Sequence, residues 1–99
     1  MVVFTKTASI APGKVASALG RAHEGATYVT RTYGAEVEVL VPIGGNPSRV
    51  AWSVRYKDLA AYEVVSNKLA DDKQYWEMLS KNSELFLPGS IRDSFWRVV

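Results

Sequence analysis

Hydrophobic and polar positions alternate most cleanly at the centre of the chain. Residues 35–42 (AEVEVLVP) place Val37, Val39 and Val41 on one face and Glu36, Glu38 and Leu40 on the other. Residues 49–56 (RVAWSVRY) place Val50, Trp52, Val54 and Tyr56 opposite Arg49, Ala51, Ser53 and Arg55. Period-two alternation on both sides of Gly44-Gly45-Asn46-Pro47 predicts a β-hairpin. Centring the turn between Gly45 and Asn46 sets Val41 against Val50, Val39 against Trp52 and Val37 against Val54. It also sets Glu38 against Ser53 and Glu36 against Arg55. A one-residue slip would lay valines against arginine and serine, so the pattern itself selects the register.

The flanking segments change period. Residues 2–10 (VVFTKTASI) are rich in β-branched side chains and short enough for a strand, although neither face is wholly apolar. Pro12 suits the opening turn of a helix. From Val15 the positions Ala18, Leu19, Ala22, Ala26, Val29 and Tyr33 fall on one helical stripe, with Lys14, Arg21, Glu24, Tyr28 and Arg31 expected toward solvent. Three alanines on the buried side predict a helix lying close to what it covers, and Gly34 ends it. Asp58 is placed to cap a second helix with stripe Leu59, Tyr62, Val65 and Leu69. Asp71-Asp72 interrupts it and caps a further segment carrying Tyr75, Leu79, Asn82 and Phe86, with Trp76 and Met78 alongside. Residues 90–98 close as a strand, Ile91 and Phe95 on one side and Trp96 and Val98 on the other.

The order β-α-β-β-α-β predicts an α+β, ferredoxin-like domain spanning residues 1–99: a four-stranded antiparallel sheet with helices on one face. The Val–Trp side of the hairpin belongs under the helices. The opposite side carries Glu36, Glu38, Leu40, Arg49, Ala51, Ser53 and Arg55, and either stays solvated or meets its copy in a dimer.

Composition narrows the function classes. The 99 residues suffice for one domain, and a net charge of +2 without a basic cluster points away from nucleic acid and from an anionic membrane surface. No cysteine is present, which excludes disulfides and thiolate ligands. One histidine and no compact acidic loop make a metal site unpromising. No dinucleotide or phosphate-loop fingerprint occurs, so no cofactor is expected. Neither a leader peptide nor a membrane-spanning run is read, and a cytoplasmic location is the expectation.

His23, the one side chain that ordinarily titrates near neutral pH, lies beside the apolar stripe of the first helix and is the candidate general base. Trp52, Tyr62, Tyr75, Trp76 and Trp96, with Phe95, are candidates to line an apolar pocket for a flat organic molecule. The plainer alternative for them is core or dimer packing. Glu36, Glu38, Arg49 and Arg55 make either a polar constellation inside a dimer or an exposed cross-strand pair of small worth. Arg92 and Asp93 are expected to fix the last strand or a dimer contact.

The broken aromatic helix, the pair Tyr75-Trp76 and the run Leu85-Phe86-Leu87-Pro88-Gly89-Ser90-Ile91-Arg92-Asp93 together resemble small bacterial NIPSNAP-like proteins. These belong to the dimeric α/β-barrel superfamily, beside the antibiotic biosynthesis monooxygenase, EthD-like and stress-responsive barrel families. The similarity covers residues 48–99 and is architectural over residues 1–47. It implies a homodimer in which two sheets close into a barrel, often with an embracing C-terminal strand. The superfamily includes cofactor-free oxygenases, haem-degrading enzymes, isomerases and dehalogenating enzymes, and the resemblance transfers no catalytic motif residue by residue. The leading expectation is a homodimer that binds or converts a small apolar organic molecule, in the manner of a cofactor-free oxygenase or isomerase. The alternative is a non-catalytic structural or interaction dimer. RNA binding, which shares the element order, is disfavoured by the glutamates on the open face.

Overall fold

The computed structural model describes residues 1–99. Strand β1 (Val2–Ser9) is followed by α1 (Val15–Tyr33), β2 (Val37–Leu40), β3 (Arg49–Tyr56), α2 (Leu59–Ala70), α3 (Lys73–Lys81), a 3-10 turn (Ser83–Leu85) and β4 (Arg92–Arg97). The strands form one antiparallel sheet in the order β2-β3-β1-β4. The hairpin register is the one the alternation selects, with Val37 opposite Val54, Glu38 opposite Ser53 and Val39 opposite Trp52. β2 is shorter than the alternation allowed. Pairing stops at Leu40, so Val41 and Pro42 belong to the loop.

Three helices cover one face, built where the caps placed them. The Asp58 carboxylate accepts from the Ala61 N–H and starts α2, and the Asp72 carboxylate accepts from the Tyr75 N–H and starts α3. Gly34 closes α1 in the left-handed conformation (φ 72°), its N–H donating to the Thr30 carbonyl. Pro12 lies outside α1. Pro12 and Gly13 form a turn, Lys14 takes the N-cap without a side-chain bond, and the helix begins at Val15.

The core is small and made of small side chains. Ala18 and Ala22 press against Ala8, Ile10 and Val50, and a second cluster joins Val29, Ala35 and Val54. Tyr28, expected toward solvent, is instead half-buried. The α2–α3 pair lies against the flank of α1, which brings Tyr28 over Tyr75 with ring centroids 6.5 Å apart. No helix is long and apolar enough to cross a membrane.

Candidate functional site

Cross-strand partners share a face, so the registers assign each side chain to the helix-covered or the open side of the sheet. One row on the covered side reads Val39, Trp52, Lys6, Asp93, and the next reads Val37, Val54, Phe4, Phe95. An ion pair therefore occupies core-facing positions. Lys6 Nζ lies 2.7 Å from Asp93 Oδ1, and the side chains remain 33% and 48% exposed. The helices pack on β2 and β3, whereas every residue of β4 is exposed, so the covered side of β1 and β4 is left as an open-sided cleft.

The rings around this pair come from α2 and from strands β1, β3 and β4. Tyr62 of α2 meets Phe95 edge-on at 4.7 Å and Tyr56 at 5.6 Å, and its ring centre is 5.4 Å from that of Phe4. Phe4 and Phe95 lie 5.1 Å apart, and the Lys6 ammonium stands 5.8 Å from the Phe4 ring centre, within cation–π range. Trp52 closes the inner end, edge-on to Phe86, with its indole N–H directed at the Ala22 carbonyl.

Tyr75 stands on α3, stacked on Tyr28 and near enough to Asp93 to feel its charge. Burial pushes its hydroxyl pKa up, and the negative charges of Asp93 and then Asp72 push it further, so the phenol keeps its proton across neutral pH. Every enclosed polar side-chain atom has a partner, whereas the Tyr75 hydroxyl bonds to no protein group and remains open for one. A carboxylate, an ammonium and a protonated phenol over an aromatic floor can withdraw a proton from an acidic C–H or O–H and stabilise the resulting anion.

Asp72 fixes the placement of Tyr75. One of its oxygens caps α3, and the other accepts from the Tyr28 hydroxyl at 2.6 Å and from the Tyr33 hydroxyl. These bonds, Tyr28 first, lower the Asp72 pKa from its ordinary 3.8. The Asp72 bond is also the main reason that Tyr28 is raised and that Tyr33 is pushed up to about 12. A lowered carboxyl stabilises the fold fully above 3.8 and stops doing so as pH falls through its folded value. The raised tyrosines stabilise it fully below 10.0 and lose that contribution as pH climbs toward about 12. Melting temperature should accordingly be flat through neutral pH and fall at both extremes, and Asp72→Asn should flatten both limbs in a pH series of thermal melts.

The structure sorts the sequence candidates into three places. Tyr62 packs with Phe4 and Phe95 beside the ion pair, Trp52 lies next to Lys6 and packs on Phe86, and Tyr75 stacks on Tyr28. Trp76 is 51% exposed beside Tyr75, its indole N–H donating to the Ala70 carbonyl at 3.1 Å. Trp96 is 63% exposed on the open face, because it alternates with the inward Phe95. His23 is exposed on α1, without a hydrogen-bond or ion-pair partner and apart from the cleft. The close approach of Ala18, Ala22 and Ala26 to the sheet leaves their neighbour outside. Lys6 and Asp93 were not among the candidates. Their signal was phase: Lys6 stands in step with Phe4 and Ala8, and Asp93 with Phe95. An open-sided cavity of about 510 Å³ lies elsewhere, between α1 and the end of α3.

No protein-family model matches the chain, and no curated protein matches it. Solved structures do. An uncharacterised NIPSNAP-domain protein from Burkholderia xenovorans superposes with a TM-score of 0.84 at 19% identity, over 100% of this chain and 95% of that one. A NIPSNAP-family protein from Agrobacterium tumefaciens gives 0.82 at 20% identity, over 99% and 92%. A Deinococcus radiodurans protein described provisionally as an antibiotic biosynthesis monooxygenase gives 0.74 at 13% identity, over 100% and 93%. At such identities the likeness establishes the ferredoxin-like fold these structures share, as the resemblance over residues 48–99 implied.

Proposed function

We propose that this chain acts as a homodimer and that each protomer binds a small, mostly apolar organic molecule in the cleft between β1, β4 and the α2–α3 pair. The observation that carries the ligand reading is the half-open Lys6–Asp93 pair at core-facing positions among Phe4, Phe95, Tyr62 and Trp52. An ion pair contributes little where exposed. Here it interrupts an apolar surface beside a free phenol, a combination that suits a ligand with one acidic group on an apolar body. With such a ligand, Lys6 faces the anion, Tyr75 donates a hydrogen bond, and Asp93 is released to act as base. That is the chemistry a cofactor-free oxygenase or isomerase needs.

The dimer reading rests on area. An average folded monomer of 10.9 kDa exposes about 5,600 Å², whereas this chain exposes 6798 Å². The excess of about 1,200 Å² is more than the ~800 Å² that each partner contributes to a standard interface. Leu40, Trp96 and Val98 stand exposed on the open face around the small side chains Ala51, Thr5 and Thr7.

Calorimetric titration with one- to three-ring phenols and their neutral hydrocarbon counterparts tests the cleft. Saturable binding at one site per chain is expected for some phenols. Lys6→Met should weaken it by about tenfold, the worth of one charge-assisted bond, and leave the hydrocarbons little changed. If no compound binds, the cleft is only a gap in the helix layer and the non-catalytic dimer is the better account.

A further inference from the structure

The cavity between α1 and the end of α3 contains a side chain that packing alone does not explain. Asn82 is 9% exposed and is the only buried polar residue of the chain. Its backbone is satisfied: the N–H donates to the Leu79 carbonyl, and the C=O accepts from Leu85. Its side-chain amide caps nothing and bonds to no protein group, although it stands at the start of the 3-10 turn. No enclosed side-chain atom of the chain is left without a partner, so the amide must reach open space, and the space that Asn82 lines is this cavity. A residue this buried whose amide meets no protein group turns that amide toward whatever occupies the cavity.

The rest of the wall is polar and unbalanced in charge. Lys14, Arg21 and Lys81 line it with Glu24 and Glu84. One Arg21 nitrogen holds both Glu24 oxygens, at 2.9 and 3.1 Å, which leaves Lys14 and Lys81 opposed by the unpaired Glu84 alone. Two cations against one carboxylate leave an excess positive charge, which favours an anion. Ser17, the Asn82 amide and the Glu84 carboxylate offer donors and acceptors for hydroxyl groups. Only Ala16 and Leu85 are apolar, so there is no surface for a ring system. At about 510 Å³ the space lies within the range of small-molecule sites.

We infer that this cavity is a second site, distinct from the Lys6–Asp93 cleft, and that it takes a small hydroxylated anion of the sugar-phosphate class. The anionic group lies between Lys14 and Lys81, and the hydroxyls reach Asn82 and Glu84. The site stands on the helix side of the molecule, so it depends neither on the proposed dimer face nor on the aromatic cleft.

Amide NMR of the intact chain, including the Asn side-chain signals, tests this with three probes: glucose 6-phosphate, glucose and inorganic phosphate. Glucose 6-phosphate should shift Ser17, Lys81 and the Asn82 side-chain amide saturably, with a dissociation constant of about 1 mM or below. Glucose and phosphate should each bind at least about tenfold more weakly, because each lacks half of the contacts. Lys81→Glu, an exposed change that leaves the core untouched, should weaken glucose 6-phosphate by about tenfold. No saturable shift would mean that water alone partners Asn82 and would overturn the site. Inorganic phosphate binding as tightly as the sugar phosphate would overturn the ligand class. Shifts that persist unchanged in Lys81→Glu would overturn the placement of the anion.

Discussion

Thr5→Glu should turn the proposed dimer into a monomer. Thr5 lies mid-strand on the open face of β1, flanked across the sheet by Ser53 and Ser94, both small. In a two-fold dimer closing on this face the substitution enters twice, so two carboxylates lose water close to one another at positions shaped for a small side chain, with only the diagonal Arg55 and Arg92 in reach. Each uncompensated charge costs at least about 2 kcal/mol, and the pair should weaken association by more than about a hundredfold. Thr5→Val, which suits a strand and adds no charge, should leave the dimer intact. Sedimentation equilibrium of the three proteins at low micromolar concentration gives the answer. A wild-type chain that sediments as a monomer would remove the dimer from the account.

The second large effect belongs to the α1–sheet contact. Ala18 has no exposed surface and lies against Ala8 and Val50. Ala18→Leu brings three further carbons into that contact and forces the helix away from the sheet. The expected cost is about 2–3 kcal/mol, or some 10–20 °C in melting temperature for a domain of this size. Ala16→Leu, on the exposed side of the same helix, should stay within about 0.5 kcal/mol of wild type, since leucine and alanine are both good helix formers. Equal losses in both variants would mean that α1 does not rest on its alanines.

What the chain discloses before folding depends on how local the cause is. The hairpin register, the two aspartate caps and the alanine face of α1 were legible because each follows from neighbours a few residues apart. Alternation says which residues share a face, but it cannot say where pairing stops, so the loss of Val41 and Pro42 from β2 was not visible. The cleft was half legible. Trp52, Tyr62 and Tyr75 carried the aromatic signal. Lys6 and Asp93, 87 positions apart, acquire meaning only when β1 and β4 become neighbours. The prominence of a lone histidine drew attention to His23, yet a helix that rests on alanines has no room to turn its neighbour inward. Tyr28 looked like a surface residue because its partner, the α2–α3 kink, lies far ahead in the chain.

The place of β1 in the sheet has a kinetic side. Both of its neighbours, β3 and β4, come later in the chain, and the β1–β4 ladder joins Val2 to Arg97. Contacts of such span close slowly, because the loop entropy is spent before any bond repays it. Until β4 arrives, one edge of an eight-residue strand stands bare, and a bare edge is a template for another copy of itself. Lys6 lies in the middle of that strand, where a charge facing the core side discourages a second β1 from adding in register. Asp93 answers that charge on the correct strand alone. The same two residues that mark the cleft therefore also guard the chain during assembly.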